Sequence, residues 1–170
     1  HYKNIIIKPL YGNGGDGVFH VNPNDNNFNS ILEVFLKNYK EQFIVQEYIP
    51  DIVKGDKRII LIDGEIVGAI NRIPAKGESR SNLHVGGKPK KTKLNENDIK
   101  ICNKISPFLK SKGLFFVGID VIGNYLTEIN VTSPTGIREI NYHNNTKIER
   151  LFWNKLEKKL IDHNTYIFSC

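Results

Sequence analysis

The sequence has no methionine, a single tryptophan and only two cysteines in 170 residues. Cys102 and Cys170 cannot make a disulfide framework, and neither sits in a metal-type spacing. A reducing cytoplasm is the expected compartment. No apolar stretch approaches the roughly 20 residues that cross a bilayer. The opening His1-Tyr2-Lys3-Asn4 lacks the basic start and apolar run of a secretory leader. It also lacks an initiating methionine, and the strand-like Ile5-Ile6-Ile7 follows at once, so a preceding segment is expected. There is no internal repeat and no low-complexity segment.

What is present is ordinary for a globular chain. Hydrophobic residues make up 39% and charged residues 25%, enough for one domain with its own core. The net charge is +6 and the isoelectric point about 9.2. Such a balance admits nucleic acid, a membrane surface or an anionic small ligand. The excess gathers at Lys88, Lys90, Lys91 and Lys93 and at Lys155, Lys158 and Lys159, where a solvated surface accounts for it. No basic stripe is interleaved with aromatics, as single-strand binders require. Neither nucleic acid nor membrane is expected as a partner.

Periodicity gives a mixed α+β pattern. Strands are expected at 5–8, 18–21, 43–47, 57–62, 65–73, 114–122 and 125–131, with Asp63-Gly64 and Gly123-Asn124 as turn dipeptides. One helix is expected after a cap at Asn29 or Ser30. A second starts at a capping box of Asn95 and Asp98, carries Ile99, Cys102 and Ile105 on one face and stops at Lys112-Gly113. A third spans 147–161 with Ile148, Leu151, Phe152, Leu156 and Leu160 on one side. The polar, glycine-bearing stretch 74–87 reads as a long loop, a kind that is usually functional or disordered.

Gly12-Asn13-Gly14-Gly15-Asp16-Gly17 matches G-x-G-x-x-G literally. The dinucleotide fingerprint needs a helix next, to set its N-terminus against a pyrophosphate. Here a strand and then Pro23 follow, so that reading fails. The P-loop also fails, because no Lys-Ser/Thr pair closes the loop. A strand, a glycine turn and a strand remain, a hairpin that can fold over phosphates with its backbone N–H groups. The plain alternative is a flexible hairpin. Lys8, at the end of an apolar strand, would find a good partner in a phosphate.

Asp120 lies within the apolar strand Phe115–Ile122, where an unpaired carboxylate would cost several kcal/mol. Glu128 and Asn130 are two apart on the next strand and share a face. Converging, the three make an all-oxygen cluster suited to Mg²⁺ beside nucleotide phosphates and unsuited to Zn²⁺. The alternative is that these carboxylates pair with arginine. Arg58, Arg72, Arg80 and Arg138 stand on or beside the same segments, and arginine forks carboxylates and phosphates alike.

An ordered set of segments goes further. Lys8-Pro9-Leu10, Gly12–Gly15, Gln46–Pro50, Gly55–Arg58, Arg72–Pro74, Arg80–Leu83, Gly86-Gly87, Gly118–Asp120 and Glu128–Pro134 resemble the prokaryotic glutathione synthetases of the ATP-grasp superfamily. The resemblance covers the chain up to roughly its last helix and is most specific at 56–58 and 127–134. It implies an α+β ATP-grasp-type domain of antiparallel sheets flanked by helices, with its N-terminal part missing. Residues 1–163 would form the catalytic portion and 164–170 a tail.

The resemblance also implies roles. Lys8 and the backbone of Gly12, Gly14 and Gly15 would hold ATP phosphates. Glu47, Tyr48 and Ile49 would meet adenine, with Asp56 near the ribose. Asp120, Glu128 and Asn130 would bind Mg²⁺ or Mn²⁺. Arg58 and Arg72 would steady the transferring phosphoryl group and the tetrahedral intermediate. Arg80 and Asn82, in a lid, and Thr132, Ser133 and Arg138 would face the peptide substrate.

The implied reaction joins γ-glutamylcysteine to glycine through an acylphosphate, in a homo-oligomer when full length. Two departures stand out: His84-Val85 where the family carries small residues, and an ending from Asn164 that matches no family pattern. Another ATP-grasp amino-acid ligase, or a truncated nucleotide-binding module without activity of its own, is the alternative.

Overall fold

The computed structural model describes residues 3–12, 14–39, 42–78 and 80–167. The chain divides into two compact units, His1–Gly55 with Arg72–Lys88, and Asp56–Asn71 with Pro89–Cys170.

In the first unit, β1 (Ile5–Pro9) runs between β2 (Phe19–Val21) and β3 (Phe43–Glu47), antiparallel to both. Alternation along these strands sorts the side chains. Ile7 and Val21 point to one face and close a core with Phe35, which follows α1 (Phe28–Val34). The Phe35 ring meets Phe19 edge-on at 5.9 Å and lies 5.1 Å from Phe43. The other face carries Ile6, His20 and Gln46 in one row and Lys8 beside Ile44 in the next. The helix starts earlier than expected. Asn27 is its N-cap without a side-chain bond, and the Asp25 carboxylate accepts the Asn27 N–H at 2.9 Å and turns the chain there.

The second unit is built on a five-stranded sheet. Its strands are β4 (Asp56–Ile62), β5 (Glu65–Ile73), β6 (Lys88–Lys91), β7 (Phe116–Ile122) and β8 (Tyr125–Asn130), in the order β6-β5-β4-β7-β8. The unit boundary falls inside β5, after Asn71. Between β4 and β5 both Asp63 and Gly64 have positive φ, 49° and 73°, as a two-residue hairpin turn demands.

The first face of β4 and β7 packs Ile59, Leu61, Val117, Ile119 and Val121 against Cys102 and Leu109 of α2 (Glu96–Ser111). The second packs Ile60, Ile62 and Ile70 against Ile140 of α3 (Ile137–Asn144) and Ile148 of α4 (Ile148–Ile167). The central strands are thus covered on both sides, and each buried Ile or Leu contributes about 2 kcal/mol.

Both ends of α2 follow the sequence expectation. Asn95 and Asp98 exchange the two bonds of a capping box, at 2.8 and 2.9 Å. Beyond Lys112, the Leu114 and Gly113 N–H groups bond back to Leu109 and Lys110, the paired closure of a Schellman motif.

One packing expectation is corrected, one helix is longer than expected and two elements are new. Ile99 is 43% exposed, and the buried stripe of α2 runs through Asp98, Cys102 and Leu109 instead. The lysines at 88–91 form the edge strand β6, where lysine and proline discourage further pairing. α3 is an addition; it starts at Gly136, a residue that carries no cap signal, and covers the sheet with Ile140. α4 extends to Ile167, through Asn164, while Phe168–Cys170 lie outside the described residues. Among the described residues no helix is long and apolar enough to cross a membrane.

Candidate functional site

The first unit gathers two loops. Gly14 and Gly15 have φ of 70° and 88°, which side chains with a Cβ resist. A Cβ on Gly15 would meet the Asn82 side chain at 2.7 Å and Arg80 at 3.5 Å. The Arg80 guanidinium donates to the Gly15 carbonyl at 3.3 Å. The glycine loop and the expected lid loop therefore lie against each other. Asn13, between the two ends of the glycine loop, lies outside the described residues.

The loop expected as a lid is not structureless. Leu83–Val85 form a 3-10 turn, and the Val85 and Gly87 N–H groups both return to the Asn82 carbonyl. Glu78 holds Arg80 through both of its oxygens, at 3.1 and 2.7 Å. That hydrogen bond raises the guanidinium's pKa against the lowering effect of burial.

Lys8 is half-buried, on the sheet face shared with Ile6 and Ile44. Glu47 ends β3, and the Tyr48 N–H bonds to Asn4 at 3.0 Å. The Tyr48 ring stacks on His20, 3.8 Å away and 14° from parallel. Ile49 is half-buried just before a 3-10 turn, and Arg72 is buried near the end of β5.

In the second unit, register does the positioning. Arg58 of β4 stands opposite Asp120 of β7, and Asp120 opposite Glu128 of β8. Three charged side chains therefore form one row across three strands. Asn130 stands opposite Gly118, two residues along. Arg58 forks Asp120, Nε to Oδ1 at 2.5 Å and Nη2 to Oδ2 at 2.9 Å, and its Nη1 donates to the Thr135 carbonyl at 3.0 Å. Both partners are buried, at 4% and 2% exposure, and Glu128 is exposed. The pairing with arginine weighed as an alternative thus exists for Asp120, inside the expected cluster.

A β-bulge sets the row. Asp120 pairs with Glu128 and Val121 with Leu126, so Thr127 is the extra residue, and its hydroxyl donates to the Asp120 carbonyl at 3.1 Å. Strict alternation would put Leu126 beside Glu128. The bulge sends Leu126 into the α2-side core and leaves Glu128 facing the other way.

Gly118 is required by packing: a Cβ there would come within 2.6 Å of Pro134 and 3.3 Å of Arg58. Thr132 and Ser133 are exposed just before this buried proline, and Arg138 is exposed on α3. Asp56 is buried at the start of β4.

Sequence reasoning misses two features. Lys57 Nζ reaches both oxygens of Asp98, at 2.8 and 2.7 Å, so the α2 cap is also a buried ion pair. The Thr135 carbonyl fixes Arg58. Lys57 stands between Asp56 and Arg58 at the start of a strand that is apolar from Ile59 on, which is a signal; the carbonyl leaves none. Cys102 is no nucleophile, because burial and then the Asp98 charge push its thiol up to about 11. A surface cleft of about 440 Å³ near Lys3, Asn22, Asp25 and Phe28 holds none of the expected residues.

Two sheets with these helices are the fold of ATP-grasp ligases. A D-alanine–D-alanine ligase from Bacillus anthracis, solved in complex with ATP, superposes with a TM-score of 0.63 at 16% identity, over 96% of this chain and 54% of that one. The ATP-grasp ligase PsnB, solved with a minimal precursor, Mg and ADP, gives 0.56 at 15%, over 85% and 42%.

Within that class, the family model for the prokaryotic glutathione synthetase ATP-grasp domain matches residues 1–145, and the chain belongs to this family. It is 57% identical to a glutathione synthetase of Agrobacterium fabrum over 155 residues, 91% of this chain and 49% of that protein. It is 52% identical to one from Synechocystis over 136 residues, 80% and 42% respectively. The chain spans about half the length of the curated relatives it matches.

Proposed function

We propose that this chain is the ATP-binding catalytic portion of a cytoplasmic glutathione synthetase. The observation that carries the reading is the Arg58–Asp120–Glu128 row within a chain of this family. The C-terminal carboxylate of γ-glutamylcysteine attacks the γ-phosphorus of ATP, and ADP leaves. The glycine amine then attacks the acyl carbon of the acylphosphate; phosphate leaves with the C–O bond electrons, the amine loses a proton, and glutathione forms.

Chemistry of this kind asks for placement and charge neutralisation more than for a side-chain nucleophile. Lys8 and the N–H groups of the glycine loop hold the phosphates. Glu47, Tyr48 and Ile49 present the hinge to adenine, and Asp56 meets the ribose. Arg58 and Arg72 face the charge that develops on the transferring group. Arg80 and Asn82, with Thr132, Ser133 and Arg138, receive the peptide, and the loop docking of Arg80 on Gly15 supports a lid that excludes water.

Asp120, Glu128 and Asn130 fit a hard divalent cation. They are oxygen donors on one sheet face, one buried and one exposed carboxylate in register. Mg²⁺ or Mn²⁺ held there would neutralise phosphate charge.

The test joins this chain to the half of the Agrobacterium relative that it does not match. ADP release that needs both γ-glutamylcysteine and glycine is expected. A folded, ATP-binding protein that releases ADP only with another acid would make it a different ATP-grasp ligase. One that releases none would reduce it to a nucleotide-binding module.

A further inference from the structure

Granted that Asp120, Glu128 and Asn130 bind the divalent cation, as proposed above, we propose that Thr127 is a positioning residue: its hydroxyl holds the β-bulge that brings Glu128 and Asn130 to the Asp120 face of the sheet.

The hairpin's own register would put them elsewhere. Gly123 and Asn124 make a two-residue turn, with Gly123 at a φ of 57°. The turn sets Ile122 opposite Tyr125 and Val121 opposite Leu126. Carried on without a bulge, that register would pair Asp120 with Thr127, Ile119 with Glu128 and Val117 with Asn130. A slip of one residue sends a side chain to the other face. Glu128 and Asn130 would then stand on the α2 side, beside Ile119 and Val117 of the apolar core. The extra residue at 127 removes this conflict. Beyond it Asp120 meets Glu128, Ile119 meets Ile129 and Gly118 meets Asn130. The face that Glu128 takes is set by backbone register, whatever else its carboxylate contacts.

Side chains on either side of Glu128 tie the shifted stretch to β7. The half-buried Thr127 donates its hydroxyl to the Asp120 carbonyl at 3.1 Å. Asn130 donates its Nδ2 to the Gly118 carbonyl at 3.3 Å. The second bond uses the amide nitrogen, so the Asn130 Oδ1 remains for a hard cation. The first bond falls at the weakest point. A bulge leaves its extra residue outside the ladder, and the Thr127 hydroxyl supplies there the tie that pairing would have given. That tie ends on Asp120 itself, so one bond sets the buried carboxylate's strand against the strand of the exposed one.

The test compares Thr127→Val, which keeps the shape and removes the hydroxyl, with Thr127→Ser, which keeps the hydroxyl, in the 170-residue chain. Each is read in two ways at a temperature where it is folded. Amide hydrogen exchange of residues 126–130 follows the bulge, and a Mn²⁺ titration, with free Mn²⁺ read by electron paramagnetic resonance, follows the site. In Thr127→Val the bulge amides should exchange about tenfold faster and Mn²⁺ should bind about tenfold more weakly, with the β4–β5 hairpin amides unchanged. The Thr127→Ser variant should stay near wild type in both.

Mn²⁺ bound equally by Thr127→Val and wild type overturns the proposal, and so does weaker binding with unchanged exchange. Thr127→Ser as impaired as Thr127→Val also overturns it, since packing of the methyl group would then be the cause. Glu128→Gln separates the two layers. Mn²⁺ binding untouched by that change, or absent from wild type, sinks the metal assignment itself. Binding lost in Glu128→Gln but kept in Thr127→Val sinks only the role of Thr127.

Discussion

The two faces of the second unit's sheet each hold a buried carboxylate paired with a cation from β4, and adjacent residues supply the cations. Lys57 reaches Asp98 on the α2 side, and Arg58 forks Asp120 on the α3 side. Asp98 is fully enclosed, and the same carboxylate accepts the Asn95 N–H that starts the helix. Its bonds serve the fold. Asp120 stands instead beside Glu128, a second carboxylate that reaches solvent. Burial of a charge is thus common to structure and site. What separates them is the neighbour: a helix terminus on one face, an exposed carboxylate and a glycine-lined turn on the other.

The largest expected contrast comes from removing each face's distinctive group. Glu128→Ala in the joined ligase should cut kcat by about 10³-fold or more and leave the melting temperature nearly unchanged, because Glu128 is exposed. Asp98→Ala should do the opposite. Loss of the cap and stranding of Lys57 cost about 3 kcal/mol in denaturant titrations, with the KM for ATP unchanged.

Gly118→Ala sharpens the site face. The new methyl must displace Pro134, at about 1–3 kcal/mol, and the KM for the peptide should rise as the 132–136 turn shifts. Cys102 reports on the α2 face: with Cys170→Ser, thiol reagents at mildly alkaline pH should label it only as fast as the unit opens, since burial holds the thiol up to about 11.

The smallest effect lies outside both faces. Lys155 lowers the Glu65 pKa below its usual 4.5, through a hydrogen bond and then its charge. The stabilisation is present above that value and fades as pH falls through the lowered one. At this surface position it amounts to about 0.5 kcal/mol or less, and the difference in melting temperature between wild type and Lys155→Ala should close on acidification.

Much of this is legible in the residues. The apolar run Ile59–Ile62 after Arg58, the Asp63-Gly64 turn and the capping box specify β4, its hairpin and the start of α2 through local chemistry alone. Glu128 and Asn130, two apart, share a face by spacing. The bulge at Thr127 is not readable, because a register shift depends on the partner strand. Nor is the fork between Arg58 and Asp120, whose partners are 62 residues apart in sequence. α3 escapes notice because its eight residues follow a glycine cap and its packing comes from the sheet beneath. Lys88–Lys91 reads only as a solvated surface, which its lysines are, and gives no strand signal because an edge strand made of lysines carries no apolar alternation.

The most direct measurement is ADP release by the joined protein in Glu128→Ala and Asp98→Ala side by side, at a temperature where both are folded by circular dichroism. The account predicts release abolished in the first and retained in the second, with γ-glutamylcysteine and glycine both required. Release that survives in Glu128→Ala, or that falls equally in the two variants, would contradict it.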